Sequence, residues 1–273
     1  VRVKRCEQNV MVKHPSFMML DMQRLLLFIA ILLLARADSS RLPNAHPALA
    51  LLPLQMAWAW ERPEDLRWLP ADAGVAFVAS SIMLEGDEAL VRPRTARLLV
   101  DPATARVPVL HVDLSGREPP ALNEVQMQAI VKELLRIARG ANRQVVQLDF
   151  EVRRSQRPFL ARTVAAVRRA LPPEVALSVT ALASWCLDDA WLAEGMADEV
   201  VPMAFRMGQQ QHELRQRLRW QGFTQPYCRQ AVGYATDEPR LRRLAPRSYY
   251  FSPRSWTAAQ WQALHSPTKV HAP

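Results

Sequence analysis

Eight β-type runs recur along the chain, and most are near-continuously apolar rather than alternating. They are LQMAWAWE (54–61), GVAFVASSIML (74–84), RVPVLHVDL (106–114), QVVQLDFE (144–151), VALSVTALAS (175–184), EVVPMAFRM (199–207), QAVGYATD (230–237) and SYYFSPRSW (248–256). A strand that is apolar at nearly every position has both faces buried, the condition of a strand in a parallel sheet. Helical patterns fall between these runs. ALNEVQMQAIVKELLRIARG (121–140) opens on Asn123 as an N-cap and stops at Gly140, and RPFLARTVAAVRRALPP (157–173) carries Pro158 in its first turn and ends at Pro172 and Pro173. DDAWLAEG (188–195), GQQQHELRQRLRWQG (208–222), PRLRRLAP (239–246) and TAAQWQALH (257–265) are shorter helical segments. Strands alternating with helices imply βαβ units, and eight of them predict an α/β fold, a compact (β/α)8 TIM barrel. One stretch departs from that alternation: LEGDEALVRPRTARLLVDPATARVP (84–108) reads as a β-hairpin inserted between strands two and three. A doubly wound open sheet is the structural alternative, but no GxGxxG or phosphate loop is present and the chain has only eight glycines.

The barrel occupies 54–265 in this reading, with a linker at 38–53 and a tail at 266–273. Residues 1–37 read as a targeting segment. LLLFIAILLLA (25–35) follows Arg24 and leads into Ala35-Arg36-Ala37, a small-x-small cleavage pattern. An apolar run of this length is a signal-peptide h-region, short of the ~20 residues that span a bilayer. Met19 or Met22 would give a normal start. An uncleaved membrane anchor is the alternative, and would make the membrane a partner. Either way the domain is expected outside the cytoplasm, periplasmic or secreted. Cys6 falls in the leader, which leaves Cys186 and Cys228 as a disulfide or as two buried thiols. There is no CxxC and no His/Cys cluster, so neither a structural metal nor another cofactor is expected. The net charge of +9 comes largely from arginines scattered through helical segments. Without a basic run interleaved with aromatics, it does not point to nucleic acid.

Functional residues of such barrels gather at the C-terminal ends of the strands. Those ends supply Trp60, His111, Asp113, Asp149, Glu151, Thr180, Trp185, Met203, Arg206 and Tyr234. This mixture of carboxylates, hydrogen-bonding groups and aromatics suits a sugar ring and predicts a carbohydrate partner. Asp149 and Glu151 stand out. At i and i+2 on a strand they share a face, with Cα atoms about 6–7 Å apart. Two carboxylates held so close repel, so one is expected to stay protonated as an acid beside a charged partner. His111 and Asp113 also share a strand face, where they either contribute to a metal site with the acids or hydrogen-bond in the core. Arg206 is expected to pair with Glu151 or Asp149, or to bind an anionic sugar.

LDFE resembles the end of DGxDxDxE, the fourth-strand motif of family 18 chitinases and related glycoside-hydrolase barrels. The resemblance puts Glu151 on the general acid and Asp149 on the acid that orients the substrate's N-acetyl group. Phe150 lies where an aromatic is common. Gln144 and Gln147 stand where the earlier aspartates would be, and VPMAFRMG resembles the sixth-strand MxY segment with Phe205 in place of its tyrosine. Taken together, QLDFE, LSVTALASWC, DEVVPMAFRMG and the helices before them are similar to a bacterial family, domain-of-unknown-function family 3142, over roughly residues 54 to 256. That family is grouped with the glycoside-hydrolase-like barrels. The resemblance implies an exported protein acting on an envelope or extracellular polysaccharide by carboxylate acid catalysis, with Glu151 and Asp149 catalytic. The alternative is a non-catalytic barrel that binds a glycan or an envelope partner.

Overall fold

The computed structural model describes residues 46–265 except Ala190, Arg240 and Arg242. The leader, the first part of the linker and the tail lie outside the described residues. Eleven strands follow in order: β1 (Gln55–Ala59), β2 (Glu64–Asp65), β3 (Ala73–Glu85), β4 (Glu88–Pro93), β5 (Leu98–Leu99), β6 (Ala105–Leu114), β7 (Val145–Phe150), β8 (Ala176–Leu182), β9 (Glu199–Met203), β10 (Ala231–Ala235) and β11 (Arg247–Phe251). Eight of these run in one parallel sheet ordered β1-β11-β10-β9-β8-β7-β6-β3, and β1 also pairs with β3. Both β1 contacts are parallel, Gln55 opposite Ser248 on one side and Ala73 on the other, so the sheet closes on itself. The protein is a (β/α)8-type TIM barrel.

The α-helices among the described residues are α1 (Glu124–Ala138), α2 (Arg157–Ala170), α3 (Gln211–Gln221) and α4 (Ala258–His265). Helix α1 begins where its sequence requires. The Asn123 side chain accepts a hydrogen bond from the Gln126 amide at 3.0 Å, satisfying one of the donors a helix start leaves open. Met127, Ile130, Val131, Leu134 and Ile137 recur every three or four residues and are buried against the barrel wall. Complete burial of Ile130 and Leu134 contributes roughly 1.5–3 kcal/mol each.

Between β3 and β6 the expected hairpin is present. Strand β4 pairs antiparallel with β3 from Ser80 opposite Pro93 to Glu85 opposite Glu88, and Gly86 supplies the positive φ, +49°, that the two-residue turn requires. Two predicted helices are not α-helical among the described residues. After β8 the chain makes a 3-10 turn, Ala183–Cys186, and Asp188 and Asp189 then pair with Arg217 and Arg157. Of the segment 239–246, the described residues, Pro239, Leu241 and Arg243 to Pro246, are not helical, and its prolines at either end do not favour a helix. Residues 46–53, assigned to the linker from sequence, instead form a 3-10 helix, Pro47–Leu51, with Ala48, Leu49 and Leu52 buried in the inner core.

Two apolar layers result. One lies between the strands and the helices. The other fills the barrel itself, where Met56, Trp58, Val109, Val201, Tyr249 and Phe251 meet. A connected polar chain also crosses the interior. Trp58 Nε1 donates to Gln147 Oε1 at 2.9 Å, Gln147 Nε2 donates to Ser178 Oγ at 3.0 Å, and Ser178 Oγ donates to Glu199 Oε2 at 2.8 Å. Tyr249 donates to the same Glu199 oxygen at 2.8 Å, and Arg247 pairs with the other. Every member is buried, and these bonds meet the cost that burying polar groups in an apolar barrel would otherwise impose.

Candidate active site at the mouth of the barrel

The inward positions of β7 are Val145, Gln147 and Asp149, and Glu151 continues the alternation just past the strand end. Its neighbour β6 presents His111 and Asp113 in the same way. The pairing of His111 with Asp149 and of Val112 with Phe150 brings the two polar pairs level. A cleft of about 820 Å³ opens above them. Trp60, His111, Asp113, Glu151, Arg153 and Leu182 are among the residues lining it.

Asp149 lies below the cleft floor, 5% exposed, with both oxygens engaged. Oδ2 is 2.7 Å from His111 Nδ1, and Oδ1 accepts from Thr180 Oγ1 at 2.6 Å. His111 Nε2 lies 3.1 Å from Asp113 Oδ2, so the ring bridges two carboxylates. Burial opposes a charged imidazole, but the hydrogen bonds to Asp113 and Asp149 outweigh it and raise the His111 pKa to about 10. The imidazolium in turn holds Asp113 below the usual carboxylate range, against partial burial. Trp60 packs edge-on against His111, ring centroids 5.5 Å apart, and against Trp58 at 4.4 Å.

Glu151 differs from its neighbours. Its side chain makes no hydrogen bond or ion pair with any described residue, and it reaches solvent through the cleft. Partial burial against the cleft floor pushes its pKa up, the negative charges of Asp149 and Asp113 push the same way, and the His111 imidazolium offsets only part of this. A carboxyl with a raised pKa therefore stands two residues from one whose oxygens are both hydrogen-bonded.

Of the residues read from the strand ends, Trp60, His111, Asp113, Asp149, Glu151 and Thr180 come together. The others do not. Trp185 is 1% exposed and packs edge-on against Trp191 in the layer between strands and helices. Tyr234 points into that same layer, where its hydroxyl accepts from the Leu244 amide at 3.0 Å. Met203 faces the barrel interior, buried beside Gly233 beneath the mouth. Arg206 pairs with Asp237 at 3.0 Å rather than with Asp149 or Glu151, because a left-handed backbone at φ +45° turns it out of line with the strand. No group of three or more His, Cys, Asp or Glu side chains among the described residues is placed to hold a metal ion, and both His111 ring nitrogens are committed to carboxylates.

Sequence reading missed the loop residues of the cleft. Pro119 and Pro120 follow β6, and Arg153 and Gln156 follow β7. Their only signal was position, directly after the strands that carry His111 and Glu151. Cys186 and Cys228 are joined as a disulfide with Cα atoms 5.8 Å apart, settling the alternative that the sequence left open. No helix among the described residues is long and apolar enough to cross a membrane. Compared with known proteins, the chain matches no family model, no curated protein and no solved structure.

Proposed function

We propose that this barrel is a glycoside hydrolase of the cell envelope or extracellular space, related to domain-of-unknown-function family 3142, with Glu151 as its general acid. The observation that carries this reading is the contrast between two carboxyls at the end of β7. Asp149 has every carboxylate oxygen occupied, whereas Glu151, two residues on, stands unpaired in a large cleft with a raised pKa. Divergent environments for two nearby carboxyls are how one fold obtains an acid and a charge stabiliser at the same pH. Protonated Glu151 would deliver its proton to the glycosidic oxygen as the bond to the leaving group breaks. The imidazolium of His111 between Asp149 and Asp113 leaves one net negative charge beside the reacting carbon, which favours an oxocarbenium-like transition state. Trp60 and Leu182 offer apolar surface to a sugar face.

Two features argue against dependence on a substrate acetamido group. Gln147 is bound to Trp58 and Ser178, and Phe205, in place of the tyrosine, packs against Phe251 at 4.9 Å and offers no hydroxyl. The Cys186–Cys228 bond supports an oxidising compartment, since structural disulfides persist outside the cytosol.

The test incubates the full chain and Glu151→Gln with chitin, peptidoglycan and exopolysaccharide fragments, following products by mass spectrometry and binding by calorimetry. Products from the native chain alone are expected, a loss of at least ~100-fold in the variant being typical of a removed general acid. The full commitment of the Asp149 oxygens favours a second reading, a glycan-binding barrel without turnover. Binding by both chains and cleavage by neither would establish that reading instead.

A further inference from the structure

The resemblance to chitinase-type motifs assigns the second acid to Asp149, yet Asp149 does not line the cleft and its side chain is only 7% exposed. A different carboxylate does face Glu151. Asp113 sits on the neighbouring strand β6, two residues past His111, as Glu151 sits two past Asp149. His111 is paired with Asp149 and Val112 with Phe150, the last residue of β7, so Glu151, the next residue, follows on level with Asp113, close enough for the Asp113 charge to act on it. Adjacent strands hold such positions about 4.8 Å apart, and the alternation of side chains turns both toward the barrel axis. Both residues line the cleft, and the Asp113 side chain is 56% exposed to it.

We infer that Asp113 is the catalytic nucleophile opposite Glu151, and that Asp149 is a positioning residue that orients His111 from below. This inference rests on the glycosidase reading. Retaining enzymes hold their two carboxyls ~5–5.5 Å apart, without the water that inverting enzymes place between theirs, and side chains carried on backbones ~4.8 Å apart are compatible with that closer spacing. In the first step an Asp113 oxygen bonds to the anomeric carbon, the bond to the glycosidic oxygen breaks, and that oxygen takes the Glu151 proton and leaves as an alcohol. In the second step water gives a proton to the Glu151 carboxylate and its oxygen bonds to the anomeric carbon. The Asp113 ester bond breaks, releasing the sugar and restoring both groups. His111, 3.1 Å from Asp113 Oδ2, holds the carboxylate charged for attack and stabilises it again as it departs. The occupied state of Asp149 then has a purpose: it fixes the ring that serves Asp113. It also explains why Asp149 needs no access to substrate.

The experiment follows the anomeric configuration of product by proton NMR, using the fragment that the native chain cleaves, beside Asp113→Gly and Asp149→Asn. Retention of configuration is expected. Asp113→Gly is expected to lose at least ~1,000-fold in turnover on an aryl glycoside of the same sugar, with azide restoring rate and yielding a glycosyl azide of opposite configuration. A 2-fluoro aryl glycoside is expected to add its sugar mass to the peptide that contains Asp113. Asp149→Asn is expected to keep the retained product and the Asp113 label, while its His111 resonances titrate at lower pH. Inversion, a label on Asp149, or an Asp113→Gly chain with native turnover would overturn the assignment while leaving the glycosidase reading intact. No cleavage of any fragment by the native chain would overturn that reading, and this assignment with it.

Discussion

Replacing His111 by phenylalanine tests the centre of the site. The ring bridges Asp149 and Asp113, and its pKa stands at about 10 against an ordinary 6.5. At ~1.4 kcal/mol per tenfold change in proton affinity, that rise sets a ceiling of about 5 kcal/mol on what the charged ring contributes to folding. Its 23% side-chain exposure and the sharing of one positive charge between two carboxylates lower the figure. About 3 kcal/mol is expected, in line with the cost of leaving a buried carboxylate such as Asp149 without its counter-charge. The sign follows from linkage. A folded-state pKa above the unfolded one means that the native protein binds more protons between the two values, so this contribution is complete below pH ~6.5 and is lost as pH rises through ~10. Urea unfolding of both chains at pH 6, 8 and 10 would measure this. The gap between native and His111→Phe should be near 3 kcal/mol at pH 6 and largely closed by pH 10. A gap below 1 kcal/mol at pH 6, or one that does not change with pH, would refute the argument that the imidazolium bridge is charged and stabilising.

Two more outcomes test the frame around the site. The Cys186–Cys228 bond closes 42 residues of chain, for which loop entropy gives a ceiling of about 4 kcal/mol. The double serine variant should lose 2–4 kcal/mol by urea unfolding, and unchanged stability would mean that the bond restrains little in the unfolded chain. Arg247→Met should cost about 3–5 kcal/mol, because it leaves the fully buried Glu199 facing Tyr249 and Ser178 without its cation. Part of that loss should return in the double variant Arg247→Met, Glu199→Gln.

Much of this architecture was legible as pattern. Eight apolar runs interrupted by helical segments and one hairpin correspond to the eight barrel strands and the β3–β4 insertion, because strand number and burial are local properties of the chain. That Asp149 and Glu151 share one face was legible too, because side chains at i and i+2 of a strand point the same way. Where a strand is apolar on both faces, period two says only which residues share a side, not which side is the lumen. So Tyr234 was taken for a mouth residue, although it is Gly233 that faces the interior. Arg206 found Asp237, 31 residues away, through loop geometry that no local pattern records.

The sequence by itself determined that a parallel barrel would form and that two acids would meet at one strand's end. Only the tertiary structure decided which acid is tied down and which is free. That depended on His111 from the next strand reaching Asp149 at 2.7 Å, and on Thr180 from the strand beyond closing its other side. Charge states in a barrel mouth are set between strands, where register brings distant residues level, and register is a property of the closed sheet rather than of any one run within it.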